Sequence, residues 1–368
     1  MQESIMPVEF IGYIGSRNQS EIIPPTGPSV NPKHIELAAK IHEIAGFDRA
    51  LVAFHSNSPE SILVAQHAAT TAPDLGLLIA HRPGFNAPTI AARQFATLDN
   101  ITKGRIAVHI ITGGSDLELQ ADGDHTTKVE RYARTSEYLD IVRREWSETA
   151  PFDYKGVFYD VHGANSLVHP YKDSGIPIYF GGSSPEAIEV AGRHADVYAL
   201  WGETYEQVAE TVTRVRAAAA KHGRSPRFSL SLRPVLAETE EAAWTKADRI
   251  LEKARSLQDK TGFTRAADIP NEGSRRLLAA AAQGSRLDKR LWTGIAALTG
   301  AKGNSTSLVG TPEQVAGALI DYYRLGISTF LIRGFDPLLD AYEYGRDLIP
   351  LVRQLVTTED ARSPAKAA

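Results

Sequence analysis

The stretch IYFGGSSPEA, residues 178–187, decides the fold class of this 368-residue chain. An apolar run ends in a Gly-Gly-Ser-Ser turn, and Pro185 then opens a helix pattern. Glycines let the backbone approach a ligand closely, and Ser183 and Ser184 add hydroxyls beside the free N–H groups of a helix start. The stretch therefore predicts a phosphate cradle at the carboxyl end of a buried strand, an arrangement typical of α/β enzymes.

Short apolar runs alternate with helix patterns on both sides of this stretch. The predicted strands are VEFIGYIG from Val8, Ala50–Phe54, Leu75–Arg82, Arg105–Gly114, Ile176–Gly182, Ala195–Gly202, Arg227–Ala237 and Thr329–Gly334. Eight strand-then-helix units predict an α/β protein of the (β/α)8 TIM-type barrel class. An open doubly wound sheet usually carries G-x-G-x-x-G after its first strand, and the sequence YIGSRNQSE lacks it.

One barrel domain over residues 1–356 accounts for this pattern, with insertions at about 151–173 and 240–310. The first insertion has the pattern of a small hairpin. The second contains helix patterns at Glu240–Leu257 and Glu272–Ala282.

A long irregular loop, Leu298 to Gly310, closes the second insertion. We interpret it as an active-site lid with Gly300 and Gly303 as hinges, because irregular loops of this length are usually functional. The tail at 357–368 is polar and rich in small residues, which predicts disorder.

The composition excludes several functional classes. Hydrophobic residues make up 43% and charged residues 23%, as in soluble globular proteins. The net charge is −4 without a dense basic run, so no nucleic-acid partner is expected. Absence of cysteine excludes disulfides and a thiolate nucleophile, and no apolar run is long enough to span a membrane. We therefore expect a cytoplasmic enzyme.

Active sites of such barrels lie at the carboxyl ends of the strands. The polar or aromatic residues predicted there are His81, Arg82, His109, Thr112, Ser183, Ser184, Trp201, Glu203, Ser231, Arg233 and Arg333. Carboxylates are rare in this set, with Glu203 the main exception. A metal site or a glycosidase pair would need clustered carboxylates, so no metal is predicted. The cationic strand ends favour an anionic ligand.

Several of these residues also fit a purely structural role. Arg82 fits a salt bridge, His109 fits a satisfied core histidine, and Trp201 fits core packing. Arg233 and Arg333 lie inside apolar strands, so each should face either the barrel mouth or a paired acid. The serines of the Gly-Gly-Ser-Ser turn also fit a simple helix cap.

Long segments of the chain resemble a known family. PTIAARQFATLDNITKGRIAVHIITGGSDLE (88–118) and ERYARTSEYLDIVRREW (130–146) are similar to the barrel core of the bacterial luciferase-like flavin monooxygenases. With IYFGGSSPEAIEVAGRHADVYALWGE and the strand-seven segment, the chain most resembles the alkanesulfonate monooxygenase branch. The likeness runs from about residue 8 to residue 355.

The resemblance implies a barrel that binds reduced FMN (FMNH2) delivered by a separate NAD(P)H-dependent FMN reductase. With O2, such enzymes cleave the C–S bond of an organosulfonate to sulfite and an aldehyde. The family also usually forms homodimers or homotetramers. The matching positions imply FMN binding by His109, Thr112, Tyr132, Gly182, Ser183 and Ser184, with His109 and Thr112 beside the isoalloxazine ring.

The chain departs from the alkanesulfonate enzymes at several site positions. Their strand-seven Arg and His correspond to Ser231 and Arg233, and their tyrosine after strand eight is Phe335 here. A cysteine near the end of their strand two corresponds roughly to Ser58. Their lid arginine falls near Thr299 or Lys302.

The cationic charge is thus kept but rearranged. His81 and Arg333 stand where the better-known enzymes have Leu and Ser, which predicts a more polar pocket. We hypothesise that Arg233 and Arg333 bind the sulfonate, and that the substrate is a polar sulfonate such as a sulfosugar, with sulfoquinovose one example.

The sequence leaves several alternatives open. Either His81 or His109 suits proton transfer, since imidazole titrates near neutral pH. Lys302 is a candidate for closing over the substrate. There are four alternative functions. The first two are monooxygenases that act on a simple alkanesulfonate or on a non-sulfonate substrate. The others are a deazaflavin-dependent dehydrogenase and a non-catalytic flavin carrier.

Overall fold

A computed structural model describes residues 8–261, 271–301, 303 and 305–362. Its strands are β1 (Glu9–Tyr13), β2 (Arg49–Val52), β3 (Gly76–His81), β4 (Ile106–Ile110), β5 (Phe152–Lys155), β6 (Asp160–Ala164), β7 (Ile178–Gly181), β8 (Val197–Trp201), β9 (Arg227–Leu232), β10 (Val235–Leu236), β11 (Arg286–Leu287), β12 (Leu291–Trp292), β13 (Ser307–Gly310) and β14 (Ile327–Ile332). Its helices are α1 (Pro32–Ile44), α2 (Ser61–Thr71), α3 (Pro88–Ile101), α4 (Asp116–Ala121), α5 (Lys128–Ser147), α6 (Pro185–His194), α7 (Tyr205–Ala220), α8 (Glu240–Thr261), α9 (Glu272–Gln283), α10 (Gly294–Thr299), α11 (Pro312–Arg324), α12 (Leu339–Glu343) and α13 (Ile349–Arg362), with a π-helical turn at Tyr344–Leu348. Within the described ranges, no helix combines the length and apolarity needed to cross a bilayer.

Eight of the described strands form a closed parallel barrel in the order β1-β14-β9-β8-β7-β4-β3-β2. Closure follows from β1, which pairs in parallel with both β14 and β2. The predicted (β/α)8 TIM-type barrel is confirmed. Parallel strands need helical crossovers, so the helices cover the outside of the barrel and leave both ends of the strands to loops.

Side-chain alternation along each strand separates two apolar layers. Inside the barrel, Ile11, Leu78, Ala107, Tyr179 and Val197 pack together. Their neighbours along the strands point outward and join the large core shared with the surrounding helices. The barrel interior is therefore a packed core, and a ligand has room only above it, at the carboxyl ends.

Local signals in the sequence explain where the helices around the site begin. Ser184 caps α6 by accepting a hydrogen bond from Ala187 N, and Pro185 occupies the first turn. Thr127 and Glu130 form a capping box at the start of α5. These caps satisfy backbone N–H groups that the first helical turn leaves free.

The seventh predicted strand is shorter than expected. It was predicted over Arg227–Ala237, but β9 ends at Leu232, and Val235 and Leu236 pair with β13 in a separate sheet. Pro234 explains the break, because proline donates no hydrogen bond to a ladder and restricts the residue before it.

The second insertion is more ordered than its loop pattern suggested. Both predicted helices are present as α8 and α9. The predicted lid loop instead contains the last two residues of α10 and the whole of β13, which belongs to a four-stranded sheet in the order β10-β13-β12-β11. These strands of two to four residues are too short to leave a periodic pattern in the sequence.

The predicted disordered tail is wrong for its first residues. Helix α13 continues to Arg362, six residues beyond Val356. The extension is held against α11, where Tyr323 Oη donates to Asp360 Oδ1 at 2.7 Å and Arg324 Nε donates to Glu359 Oε1 at 2.8 Å. Residues 363–368 lie outside the described part of the chain.

Candidate active site at the carboxyl end of the barrel

The barrel mouth lies above the apolar interior layer. Because every second residue of a strand faces inward, the residues two positions beyond that layer point into the mouth. His109 follows Ala107 in this way, and Ser231 pairs in register with the inward-facing Leu331. Arg233 and Arg333 come two positions further along their chains. The mouth is thus lined by imidazole, hydroxyl and guanidinium groups.

The phosphate cradle consists of Gly182, Ser183, Ser184 and Tyr132. Gly182 has φ +129°, and a Cβ there would come within 2.8 Å of Ala187 Cβ and 3.3 Å of Tyr132 Oη. Only glycine adopts this backbone without strain. The turn therefore keeps an open space beside a tyrosine hydroxyl and the amino end of a ten-residue helix.

Neighbouring aromatic residues fix the shape of the cradle. Tyr132 hydrogen-bonds to Ser184, its ring centroid lies 6.4 Å from that of Phe180, and burial raises the pKa of its hydroxyl. Tyr198 Oη donates to the Gly182 carbonyl oxygen. The Tyr132 hydroxyl therefore stays protonated at neutral pH and can donate to an anion.

His109 lies beside the cradle on β4. Burial lowers its pKa to about 4, so the imidazole is neutral at physiological pH. Its Nδ1 is buried and has no hydrogen-bond partner among the described residues. Thr112, on the turn after β4, has its hydroxyl 3.5 Å from that of Thr135 on α5. The imidazole therefore retains a free polar atom for a ligand in the mouth.

The arginine pair, Arg233 and Arg333, lies across the mouth from the cradle. Arg233 Nη2 is 2.9 Å from Glu21 Oε2, and Arg333 Nη2 is 3.4 Å from Glu21 Oε1. Burial alone would raise the pKa of Glu21, but the two guanidinium charges outweigh it and hold the pKa well below its usual range. One carboxylate thus bridges two cations, which leaves an excess positive charge.

Arg233 is held rigidly and is only 1% exposed. Its guanidinium carbon lies 3.6 Å from the centroid of the Phe335 ring, and its Nη2 donates to Gly334 O at 3.0 Å. Arg333 is more accessible and lies over the Tyr13 ring at 5.2 Å. Phe335, which stands at the position of the active-site tyrosine of the alkanesulfonate enzymes, is therefore a stacking platform for Arg233.

His81 does not lie in the mouth, contrary to its prediction as a catalytic residue. Its Nε2 is 2.7 Å from Tyr138 Oη on α5, and its ring packs edge-on against Phe95 on α3. It pairs in register with Ile110, which belongs to the helix-facing core. The alternation of β3 thus turns His81 outward, and burial lowers its pKa to about 4.

Arg82 forms a salt bridge, the structural role that its sequence position also allowed. It is 3% exposed, and its Nη2 donates to Glu118 Oε1 at 2.7 Å, while Nη1 lies 3.7 Å from Asp122 Oδ2. Although burial opposes the shift, hydrogen bonds from His55 and Arg82 lower the pKa of Glu118 to about 2. This arginine faces two carboxylates and carries no excess charge.

The second insertion covers one side of the mouth. Trp201 at the end of β8 packs with Leu277, Ala296 and Ala301 of that insertion. A Cβ on Gly273 would meet the Trp201 ring at 2.9 Å, so α9 begins directly against the indole. Trp201 is therefore a wall between the mouth and this cover.

The cover also reaches the turn after β4. A Cβ on Gly114 would come within 2.9 Å of Asn271 Nδ2, so the start of α9 lies against the glycine turn. Of the predicted lid residues, Thr299 donates its hydroxyl to Ile295 O at 2.8 Å within α10, and Gly300 ends that helix at φ +68°. Lys302 lies outside the described residues.

An ion pair that sequence reasoning missed holds the cover in place. Arg276 on α9 donates to both carboxylate oxygens of Glu203, at 2.9 Å from Nε and 2.9 Å from Nη2, and also to Glu210 at 3.1 Å. These partners raise the pKa of Arg276 above its usual value. Glu203, the one carboxylate predicted at the strand ends, is thus neutralised by the insertion.

Glu21 is the second residue that sequence reasoning missed. It lies in the loop after β1 and is the only acidic residue between Ser16 and Pro32. A lone acid in a loop rich in Pro, Ser and Gly, next to the barrel mouth, is the signal that points to it. Its pairing with residues more than 200 positions away is invisible to local patterns.

Comparison with known proteins places this architecture in a family. A family model described as luciferase-like monooxygenase matches residues 8–329. A riboflavin lyase solved with modified FMN and riboflavin is similar in fold, with a TM-score of 0.76 and 19% identity over 95% of this chain and 92% of that chain. The EDTA monooxygenase of Chelativorans sp. BNC1 is similar with a TM-score of 0.74 and 19% identity over 95% of this chain and 94% of that chain. A long-chain alkane monooxygenase is similar with a TM-score of 0.72 and 17% identity over 95% of this chain and 92% of that chain. The chain belongs to the luciferase-like monooxygenase family.

Proposed function

We propose that the chain is an FMNH2-dependent monooxygenase that cleaves the C–S bond of an organosulfonate. The observation that carries the proposal is the arginine pair. Two guanidinium groups share a single carboxylate at the mouth, so an anionic substrate group completes the charge balance. The cradle supports the cofactor assignment, because it suits a phosphate on the opposite side of the same mouth.

The cradle fits the phosphate of FMN. Gly182 leaves space where any other residue would place a Cβ, and Ser183, Ser184 and Tyr132 offer hydroxyl donors. The amino end of α6 adds a favourable dipole for a phosphate dianion. His109 and Thr112 then lie on the neighbouring strand end, where the flavin ring would extend.

When bound, reduced FMN supplies the two electrons that let O2 react. The balanced reaction converts R–CH2–SO3⁻, FMNH2 and O2 into R–CHO, SO3²⁻, FMN, H2O and H⁺. One oxygen atom becomes the aldehyde oxygen and the other becomes water. The C–S bond breaks, and the sulfur leaves as sulfite with the bonding electron pair.

The side chains of the mouth contribute binding and exclusion of water. Arg233 and Arg333 orient the sulfonate so that the adjacent carbon faces the flavin. Trp201 and the cover formed by α9 and α10 shield the mouth from solvent, which protects reactive species in this chemistry. The neutral imidazole of His109 can accept or donate a hydrogen bond at its free Nδ1, so we assign it the proton transfer.

The proposed substrate is a polar sulfonate such as a sulfosugar. His81 lies outside the mouth and adds nothing to its polarity. Ser231 comes two residues before Arg233, and His109 lines the cradle side of the same mouth, so both add polar groups that suit a hydroxylated substrate. The reduced flavin would come from an NAD(P)H-dependent FMN reductase, and we expect a homodimer or homotetramer.

A matched substrate panel tests the proposal. The protein is supplied with FMN, an FMN reductase, NADH and O2. Sulfite formation and substrate loss are measured with two sulfonates, sulfoquinovose and octanesulfonate. Substrate loss is also measured with two compounds that carry no sulfonate, octanoate and decane. We expect sulfite from at least one sulfonate. Loss of octanoate or decane without sulfite from either sulfonate would reject the sulfonate and favour a different monooxygenase substrate.

A deazaflavin-dependent dehydrogenase is the second candidate function, and it must be distinguished from the monooxygenase. Such an enzyme would bind the deazaflavin cofactor in preference to reduced FMN and would consume no O2. Binding titrations of both cofactors, followed by tryptophan fluorescence, distinguish the two functions without any substrate.

A further inference from the structure

The carboxylate of Glu21 is bound as a substrate anion would be. Each of its oxygens faces a different guanidinium, at 2.9 Å from Arg233 and 3.4 Å from Arg333. Oxyanions bind arginine pairs in the same bridging manner. The charges are unequal, however, because two cations meet one anion.

The arginine pair keeps donors that Glu21 does not reach. Arg233 Nε and Nη1 and Arg333 Nε are buried, and none has a hydrogen-bond partner among the described residues. Unpaired buried donors are costly, and a carboxylate has only two oxygens to offer. A sulfonate has three oxygens and can therefore satisfy more of these N–H groups than Glu21 does.

The loop that carries Glu21 is largely bonded to itself. Ser20 and Ile23 exchange backbone hydrogen bonds at 3.0 and 3.3 Å, which places Glu21 in a tight turn. The ends of the loop are joined by Asn31 N to Ser16 O at 2.9 Å. Withdrawal of the turn would break no strand pairing of the barrel, since residues 14–31 belong to no strand, and it would release Ile22 from the apolar cluster around Trp292 and Phe335.

We infer that Glu21 is an internal competitor for the substrate anion. Its carboxylate holds the place of the sulfonate between Arg233 and Arg333, and the Ser20–Ile23 turn withdraws when a three-oxygen anion binds. Glu21 thereby sets both affinity and specificity, because carboxylates gain too few hydrogen bonds to displace it. The sulfonate identity rests on the proposed function, whereas competition with an oxyanion does not.

Inorganic sulfate is a suitable probe of this competition. Thermal unfolding of the full chain is followed over a sulfate series at constant ionic strength, with chloride as the balancing anion. Glu21→Gln keeps the shape of the side chain but removes its charge. We expect the apparent sulfate affinity of this variant to be at least about tenfold higher than that of the wild type, since a ligand that binds only the folded state raises its stability.

A matched control separates this effect from general loss of an ion pair. Glu118→Gln also removes a carboxylate from a buried arginine, but Asp122 still faces Arg82 at 3.7 Å. Its sulfate response should equal that of the wild type. Adding Arg333→Met to Glu21→Gln should abolish the strengthened sulfate response.

Several outcomes would overturn the inference. Equal sulfate affinity in the wild type and Glu21→Gln would show that the carboxylate does not compete. Weaker sulfate binding by the variant would show that Glu21 helps to hold the anion. If Glu21→Gln does not fold, Glu21→Asp must show an intermediate gain in sulfate affinity, and no gain would reject the inference.

This test is independent of catalysis. It requires no flavin, substrate or O2, so a positive sulfate response without sulfite release would reject only the proposed reaction. Sulfite release without any difference between the wild type and Glu21→Gln would reject only the role of Glu21.

Discussion

The phosphate cradle and the arginine pair are two polar regions of one barrel mouth, and they are built in opposite ways. Three of the four cradle residues are consecutive, and their turn is fixed by Gly182 and the cap of α6. The arginine pair is held by Glu21, which lies 312 positions from Arg333. A local turn thus forms the proposed cofactor site, whereas a long-range ion pair forms the proposed substrate site.

The two regions therefore differ in what must move when a ligand binds. The cradle offers neutral hydroxyl groups that can stay in place when a phosphate binds. The arginine pair is occupied by the carboxylate of Glu21, which on the proposed mechanism is replaced by the substrate anion. We therefore expect substitutions in the two regions to affect different steps, cofactor binding on one side and substrate binding on the other.

Arg333→Met should have the largest effect and should fall on substrate binding. It leaves Arg233 and Glu21 as a neutral pair and removes the excess charge. Loss of a charge-assisted hydrogen bond predicts a fall of roughly tenfold to a few hundredfold in kcat/KM for a sulfonate. FMN affinity should not change. Arg324→Met, which removes a half-exposed partner of Glu359, is the control, and an unchanged kcat/KM in Arg333→Met would contradict the assignment.

Gly182→Ala should weaken the cradle and leave the arginine pair intact. The added Cβ meets Ala187 at 2.8 Å, and φ +129° is strained for alanine. We expect the Kd for FMN to rise by about tenfold, an energy of ~1.4 kcal/mol, in a fluorescence titration. Gly223→Ala provides the control, because its φ is +65° but its Cβ would meet nothing within 4 Å. Equal weakening in both variants would mean that general strain is responsible.

Arg276→Met should have a smaller effect, because it loosens the cover without touching either polar region. The variant loses the bonds to Glu203 and Glu210 that hold α9 in place. We expect faster hydrogen exchange in α9 and a KM several-fold higher. Arg275→Met is the control on the same helix, since it removes a cation that pairs with Glu272 of α9 itself. Unchanged exchange in Arg276→Met would contradict the role of this ion pair.

The smallest effect on the mouth is expected from a buried histidine on α1, which packs against β1 and should make the folding stability depend on pH. His42 accepts from Tyr13 N at 3.2 Å and contacts Ala38 O at 2.7 Å, and burial lowers its pKa to about 4. The unfolded chain then binds more protons between about pH 6.5 and 4, so the free energy of unfolding falls as the pH is lowered through that range. The difference between wild type and His42→Asn should shrink on acidification. A constant difference from pH 7 to 4.5 would contradict this.

The sequence predicts well the barrel and the strand, turn and helix that form the cradle, for the same physical reason. Strand runs, helix caps and the Gly-Gly-Ser-Ser turn are contiguous signals that depend on neighbouring residues. The direction of the His81 side chain is missed because every residue of β3 is buried. When both faces of a strand are apolar, the sequence pattern does not indicate which residues point into the barrel and which point toward the helices. Glu21 and Arg276 are missed because their partners come from distant elements.

Sulfite formation in a single turnover tests the central claim most directly. The protein is mixed with FMNH2 without oxygen, and then with an oxygenated solution of a sulfonate that the panel identifies, or of sulfoquinovose. We expect up to one sulfite per FMNH2 oxidised, and a large decrease with Arg333→Met. Complete oxidation of bound FMNH2 without sulfite, for every sulfonate tested, would contradict it.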